Sequence, residues 1–130
     1  MLLRGVAHRN EADLLEPFLN DVDSRVRANA AKGMYKFNRE KAMVAIDQMC
    51  KSSDNWMRLS GSWVLGEIGN DMAVKTLAEL LDDPKDFVAS RAIKSLEKII
   101  EKRREDLEEE LVNTLKRKIK DARTQRKLKT

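Results

Sequence analysis

Apolar residues recur along this chain at two nested spacings, and together they predict paired helices with no strand. Val26, Met57 and Val88 stand 31 residues apart, and four residues after each comes a small one, Ala30, Gly61 and Ala92. Met34, Leu65 and Leu96 follow in register, then Phe37, Ile68 and Ile99. Apolar places at relative positions 0, 4, 8 and 11 make one stripe on a helix of 3.6 residues per turn. A 31-residue period therefore marks a repeat whose unit begins with an amphipathic helix.

A second stripe follows a break at Asn38-Arg39 in one copy and Gly69-Asn70 in the next, residues able to take the left-handed turn that ends a helix. Phe18, Met49, Leu80 and Leu111 align there, as do Leu19, Cys50, Leu81 and Val112. Leu15, Ile46 and Leu77 hold a third place, which the last copy gives to Glu108. An unpaired charge is costly to bury, so the last helix is expected to be covered on one side only, as at an end of the array. At the other end Leu3 and Val6 occupy the places of Leu65 and Ile68, so the first repeat starts in its middle. That fits either a segment of a longer array or an atypical cap.

The strings Asp21-Val-Asp-Ser-Arg-Val-Arg-Ala-Asn-Ala-Ala31 and Trp56-Met-Arg-Leu-Ser-Gly-Ser-Trp-Val-Leu-Gly-Glu-Ile-Gly69 resemble HEAT repeats, especially the short bacterial kind also found in phycobilisome lyases. The resemblance covers roughly residues 1 to 112 and implies an all-α, right-handed α-solenoid of antiparallel helix pairs. It also implies that loop acids Asp23 and Asp54 pair with Arg27 and Arg58 between neighbouring repeats, a ladder that Lys85 and Ala89 end in the third copy. Second helices would line a concave side, with Asp13, Leu14, Lys41, Val44, Gln48, Lys75, Thr76, Glu79, Asp106 and Glu110 outward. About activity the motif is almost silent, because fold does not dictate function.

Composition agrees with helix: among 130 residues only 5 are Gly and 2 Pro. The net charge of +4 is unevenly spread. Residues 116–130 hold eight basic residues against Asp121 alone, a net of +7, which leaves the rest at −3. The chain is accordingly divided into a repeat array, 1–115, and a basic helical end or disordered tail, 116–130. The tail has three readings: a fraying extension, a contact for nucleic acid or an acidic partner, and a linker. Leu115, Ile119, Ala122 and Arg126 keep helical spacing, whereas from Arg123 on too few apolar residues remain for docking.

Little in the chain points to catalysis. His8 is the single histidine and is expected at a surface or turn, so neither a metal site nor a cofactor is predicted. Cys50 takes a stripe position filled elsewhere by Leu19, Leu81 and Val112, so it is expected to behave as a small buried hydrophobe. One unpaired cysteine and no secretory leader pattern predict a reducing, cytoplasmic setting. No run approaches the roughly 18 apolar residues of a membrane span. Glu105, Asp106, Glu108, Glu109 and Glu110 lie among Arg103, Arg104 and Lys116, as on a solvated helix.

Trp56 and Phe87 share a repeat position with Arg25, and Trp63 shares one with Lys32 and Lys94. Lysine and arginine at equivalent places imply an outward or boundary position. The tryptophans are then either partner anchors or packing between adjacent first helices. The expected function is a non-catalytic protein-interaction or scaffolding module, with Lys41, Val44, Gln48, Trp56, Trp63, Lys75, Thr76 and Glu79 as candidate partner-binding residues. Its partner would be another protein or another domain of the parent chain. The alternatives are a nucleic-acid-binding array using the basic tail and, by resemblance alone, a lyase-type or other catalytic helper.

Overall fold

The computed structural model describes residues 11–128, and among these every regular element is helical. Helical residues 11–15 run into a short 3-10 helix, Glu16–Asn20. Six α-helices follow: α1 Ser24–Met34, α2 Arg39–Cys50, α3 Asn55–Ile68, α4 Asp71–Leu80, α5 Asp86–Lys102 and α6 Glu109–Arg126. In chain order they fall two to a repeat, α1 then α2, α3 then α4, α5 then α6, in the register of the sequence repeat. The chain divides into two compact units, one up to Val64 and one from Leu65 on, with the boundary inside α3. Leu3, Val6 and His8, and with them the incomplete first repeat, lie outside the described residues.

In the first unit, α1 packs on the 3-10 helix and on α2. Ala28, Ala30 and Ala31 bring the helices close, and Met34, Ile46 and Met49 fill the space between them. Each of α1, α2 and α3 starts beside a side chain that accepts from otherwise orphan amides. The Asp23 carboxylate accepts from the amides of Arg25 and Val26 at 2.9 and 3.3 Å, and Asn38 accepts from Lys41 N at 3.0 Å. The Asp54 carboxylate accepts from Trp56 N at 2.8 Å.

The recurring arginines reach the backbone carbonyls of the preceding helix end. The Arg27 guanidinium donates from Nε to the Leu19 carbonyl at 2.9 Å and from Nη1 to Met57 Sδ at 3.4 Å. Arg58 Nη1 donates to the Ser52 carbonyl at 2.9 Å. Both carbonyls close the end of the preceding helix, where acceptors lack intrahelical partners and the helix dipole is negative. Loop acids thus cap the helix that follows them, while the arginines clamp the end of the one before.

In the second unit α4 packs on α5, and α5 on α6. Leu65, Leu77, Val88, Ile93, Leu96 and Ile99 form its core, and α6 adds Leu115, Ile119 and Ala122. Gly69 terminates α3 at φ +67°, a conformation that costs glycine no Cβ clash. Asn70 then caps α4, accepting from Ala73 N at 2.8 Å. Asn38, by contrast, is extended and only starts a helix.

Four stripe positions depart from expectation. Val26 is 37% exposed although Met57 and Val88 are buried. Met57 leans on Arg27 of the preceding first helix, and among the described residues no first helix precedes α1. Phe37 is exposed because α1 ends at Met34 and the chain has already turned. Phe18 is exposed because Pro17 heads a 3-10 helix of three residues per turn, which keeps Leu19 inside and rotates Phe18 out.

Leu111 is exposed because α6 starts at Glu109, 38 residues after the start of α4, whereas α4 starts 32 after α2. The long α5 delays the next helix, and Leu115 and Ile119 take the places of Ile46 and Cys50. Residues 116–126 are consequently the second half of α6, and its last turn, through Arg126, is docked after all. Ion pairs do what apolar side chains could not: Arg123 binds Glu97 through two bonds of 3.0 Å, and Arg126 binds Asp86 at 3.0 Å.

Candidate protein-interaction surfaces

The second helices leave regular stripes in solvent. On α2, Lys41, Val44 and Gln48 are exposed at helical spacing, Val44 to 54%, and Lys41 forms an ion pair with Glu16. Their repeat equivalents on α4 are Met72, Lys75 and Glu79, also exposed, Met72 to 57%. Thr76 is half-buried, in keeping with its equivalent Ala45, which is buried. Met72 was absent from the candidate residues, though Lys41 at the matching position was a signal for it.

The tryptophans separate. Trp63 on α3 is half-buried beneath the Lys32 ammonium of α1, 5.5 Å from the ring centroid, a cation–π contact between adjacent first helices. Trp56, in the first turn of α3, is 62% exposed. Beside it Val22 projects from the loop before α1, 94% exposed, and the two line a groove of about 500 Å3 with Arg25 and Leu59. Ser24 and Ser60, hydrogen-bonded to each other at 3.0 Å, belong to the same groove. Val22 went unnoticed in the sequence because it lies in a loop, off both stripes.

A second groove, about 570 Å3, runs between α5 and α6. Ile100, Val112 and Ile119 give it an apolar lining. Around it stand Glu97 and Glu101, Arg104 and Arg123, and Lys116 and Lys120. Arg123 is matched by Glu97, and Arg104 lies 3.4 Å from Glu101. Lys116 and Lys120 are exposed and have no ion-pair partner among the described residues.

Groups with reactive or metal-ligating chemistry are placed otherwise. Cys50 is buried, and burial, aided by the nearby Asp47 and opposed by Lys51, pushes its thiol up to about 12. Among the described residues no three His, Cys, Asp or Glu side chains gather as metal ligands would. Nor is any described helix long and apolar enough to cross a membrane.

No curated protein matches the chain. The family model for HEAT repeats matches it over residues 11–97 and again over residues 43–126, overlapping spans that include all six α-helices and the capped, arginine-clamped helix pairs. The chain therefore belongs to the HEAT-repeat family.

Proposed function

We propose that this chain is a non-catalytic protein-interaction module that anchors a partner on Trp56 and Val22 and engages it further through the outer stripes of α2 and α4. The observation that carries this reading is Trp56, with nearly two thirds of its surface in solvent beside an almost fully exposed valine. A large amphipathic ring held on a helix loses little conformational entropy on binding, which is why tryptophan is enriched among binding hot spots. Lys41, Val44 and Gln48 on α2, and Lys75, Thr76 and Glu79 on α4, offer the mixed polar and apolar surface that reversible interfaces use. A buried, high-pKa thiol supports the non-catalytic part of the reading and suits a reducing, cytoplasmic setting.

The basic segment supports a nucleic-acid role less well, since Arg123 and Arg126 are engaged by Glu97 and Asp86, and Lys116, Arg117, Lys118 and Lys120 all belong to one helix. A backbone-tracking array would instead present cations from several repeats.

The test is retention of cross-linked protein partners by immobilised wild-type chain, Trp56→Ala and Val44→Lys. Loss of a hot-spot tryptophan should weaken a specific partner by at least about tenfold. Thermal unfolding should scarcely change, because both side chains are exposed. If every retained protein binds both variants as well as wild type, the anchor is not Trp56 and the proposal fails.

A further inference from the structure

We infer that the groove between α5 and α6 is a second docking site, whose occupant is an acidic peptide segment of a partner protein carrying an aliphatic side chain between its carboxylates. The inference rests on the reading of the chain as an interaction module but concerns a different surface. Three observations carry it. Ile100, Val112 and Ile119 line the groove, so its floor can receive an apolar side chain. Of its four basic side chains, Arg123 and Arg104 are answered by Glu97 and Glu101, while Lys116 and Lys120 lack partners among the described residues. The two lysines stand four residues apart on α6, so both ammonium groups lie on one edge of the groove.

The charge left over is thus positive and local, and it borders an apolar floor. A peptide with carboxylates on either side of a leucine satisfies both features at once. Its leucine leaves water between Ile100 and Val112, and its carboxylates meet Lys116 and Lys120. A nucleic-acid backbone satisfies only the second. It has no aliphatic group for the floor. A second copy meeting this groove with its own α6 would bring the same excess of positive charge and be repelled.

The experiment measures fluorescence anisotropy of a labelled peptide, Glu-Glu-Leu-Glu-Glu-Leu-Glu-Glu, with the full chain at low salt. Its controls are the same peptide with alanine for leucine and a short duplex DNA. Wild type should bind the leucine peptide more tightly than the alanine peptide, by about tenfold for partial burial of one leucine. Lys116→Glu with Lys120→Glu should weaken the leucine peptide about tenfold, since two exposed ion pairs are lost. Arg117→Glu with Lys118→Glu changes net charge equally on the same helix but outside the groove, and should alter affinity less than threefold. All four positions are exposed, and circular dichroism of each variant verifies the helix.

The inference is overturned if the peptide does not bind up to about 1 mM. Equal weakening by the two double variants, which would reveal a mere polycation, also overturns it, as does DNA binding more tightly than the leucine peptide or concentration-dependent self-association blocked by the Lys116/Lys120 variant. Trp56→Ala should leave the peptide affinity unchanged. Failure here with Trp56-dependent partner retention intact would remove this site alone, and the converse would remove only the Trp56 anchor.

Discussion

Cys50 shows how one residue's chemistry follows from its neighbour's size. A Cβ added to Gly61 would lie 2.8 Å from Cys50 Sγ and 3.3 Å from its backbone nitrogen, so α3 approaches α2 across a pair of small residues and shuts the thiol away from water. Burial favours the neutral thiol, which places its pKa near 12 in the folded chain against about 9 when unfolded. The sign of the pH effect follows. Below pH 9 both states hold the proton, whereas between about 9 and 12 only the unfolded state releases it, so stability falls with rising pH. Wild type should therefore lose more of its urea midpoint than Cys50→Ala between about pH 8 and about pH 10.5. The comparison cancels every group common to both chains, and equal losses would show that the thiol is hydrated. The sequence already indicated a buried cysteine, since its aligned residues are Leu19, Leu81 and Val112; the contact with Gly61 required the helices to be in place.

Among the elements, α6 is the one whose reading changed most. Its sequence promised three apolar contacts before charge took over, and Leu115, Ile119 and Ala122 are indeed buried. Beyond them, Arg126 reaches the Asp83 carbonyl and the Asp86 carboxylate. Asp83 is the repeat equivalent of Ser52, whose carbonyl Arg58 clamps, and Ala89 stands where the third copy's own arginine would be. A guanidinium from the following helix thus fills the place that the repeat left vacant. Arg126→Ala should cost about 1 kcal/mol, as expected for a charged hydrogen bond discounted for partial exposure. Arg126→Lys should recover only part, because an ammonium cannot fork between the two oxygens. Urea unfolding measures both, and a change for Arg126→Ala within about 0.5 kcal/mol of zero would reduce the contact to an ordinary surface pair.

At the scale of the whole molecule, helical repeats owe stability to nearest neighbours, so damage at one end should stay local. A chain ending at Glu108 loses Leu115 and Ile119 from its core and uncovers α5, a loss of about 3 to 6 kcal/mol for two large aliphatic side chains. Amide hydrogen exchange should then show protection falling in α5 and largely kept in α1 and α2. Equal loss in all three helices would mean that the molecule unfolds as one cooperative unit and that nearest-neighbour coupling does not describe it.

The division between sequence and tertiary structure has a plain physical cause. Periodic burial is a local property of each helix, so the spacing of Val26, Met57 and Val88, of Ile46 and Leu77, and the break at Gly69 were enough to determine helix pairs, while the strings Asp21–Ala31 and Trp56–Gly69 carried the resemblance to the family. The resemblance implied the outward direction of Lys41, Val44, Gln48, Lys75, Thr76 and Glu79, and all of these but the half-buried Thr76 are exposed. What a residue touches depends on whether a neighbour is there, and that is not local. Val26 shares its stripe position with two buried residues yet is exposed, and Trp56 and Trp63 looked alike until Lys32 was found over one ring and solvent around the other. The basic end carried the same lesson, since the charge of Arg123 and Arg126 argued for solvent until tertiary structure brought Glu97 and Asp86 within hydrogen-bonding distance.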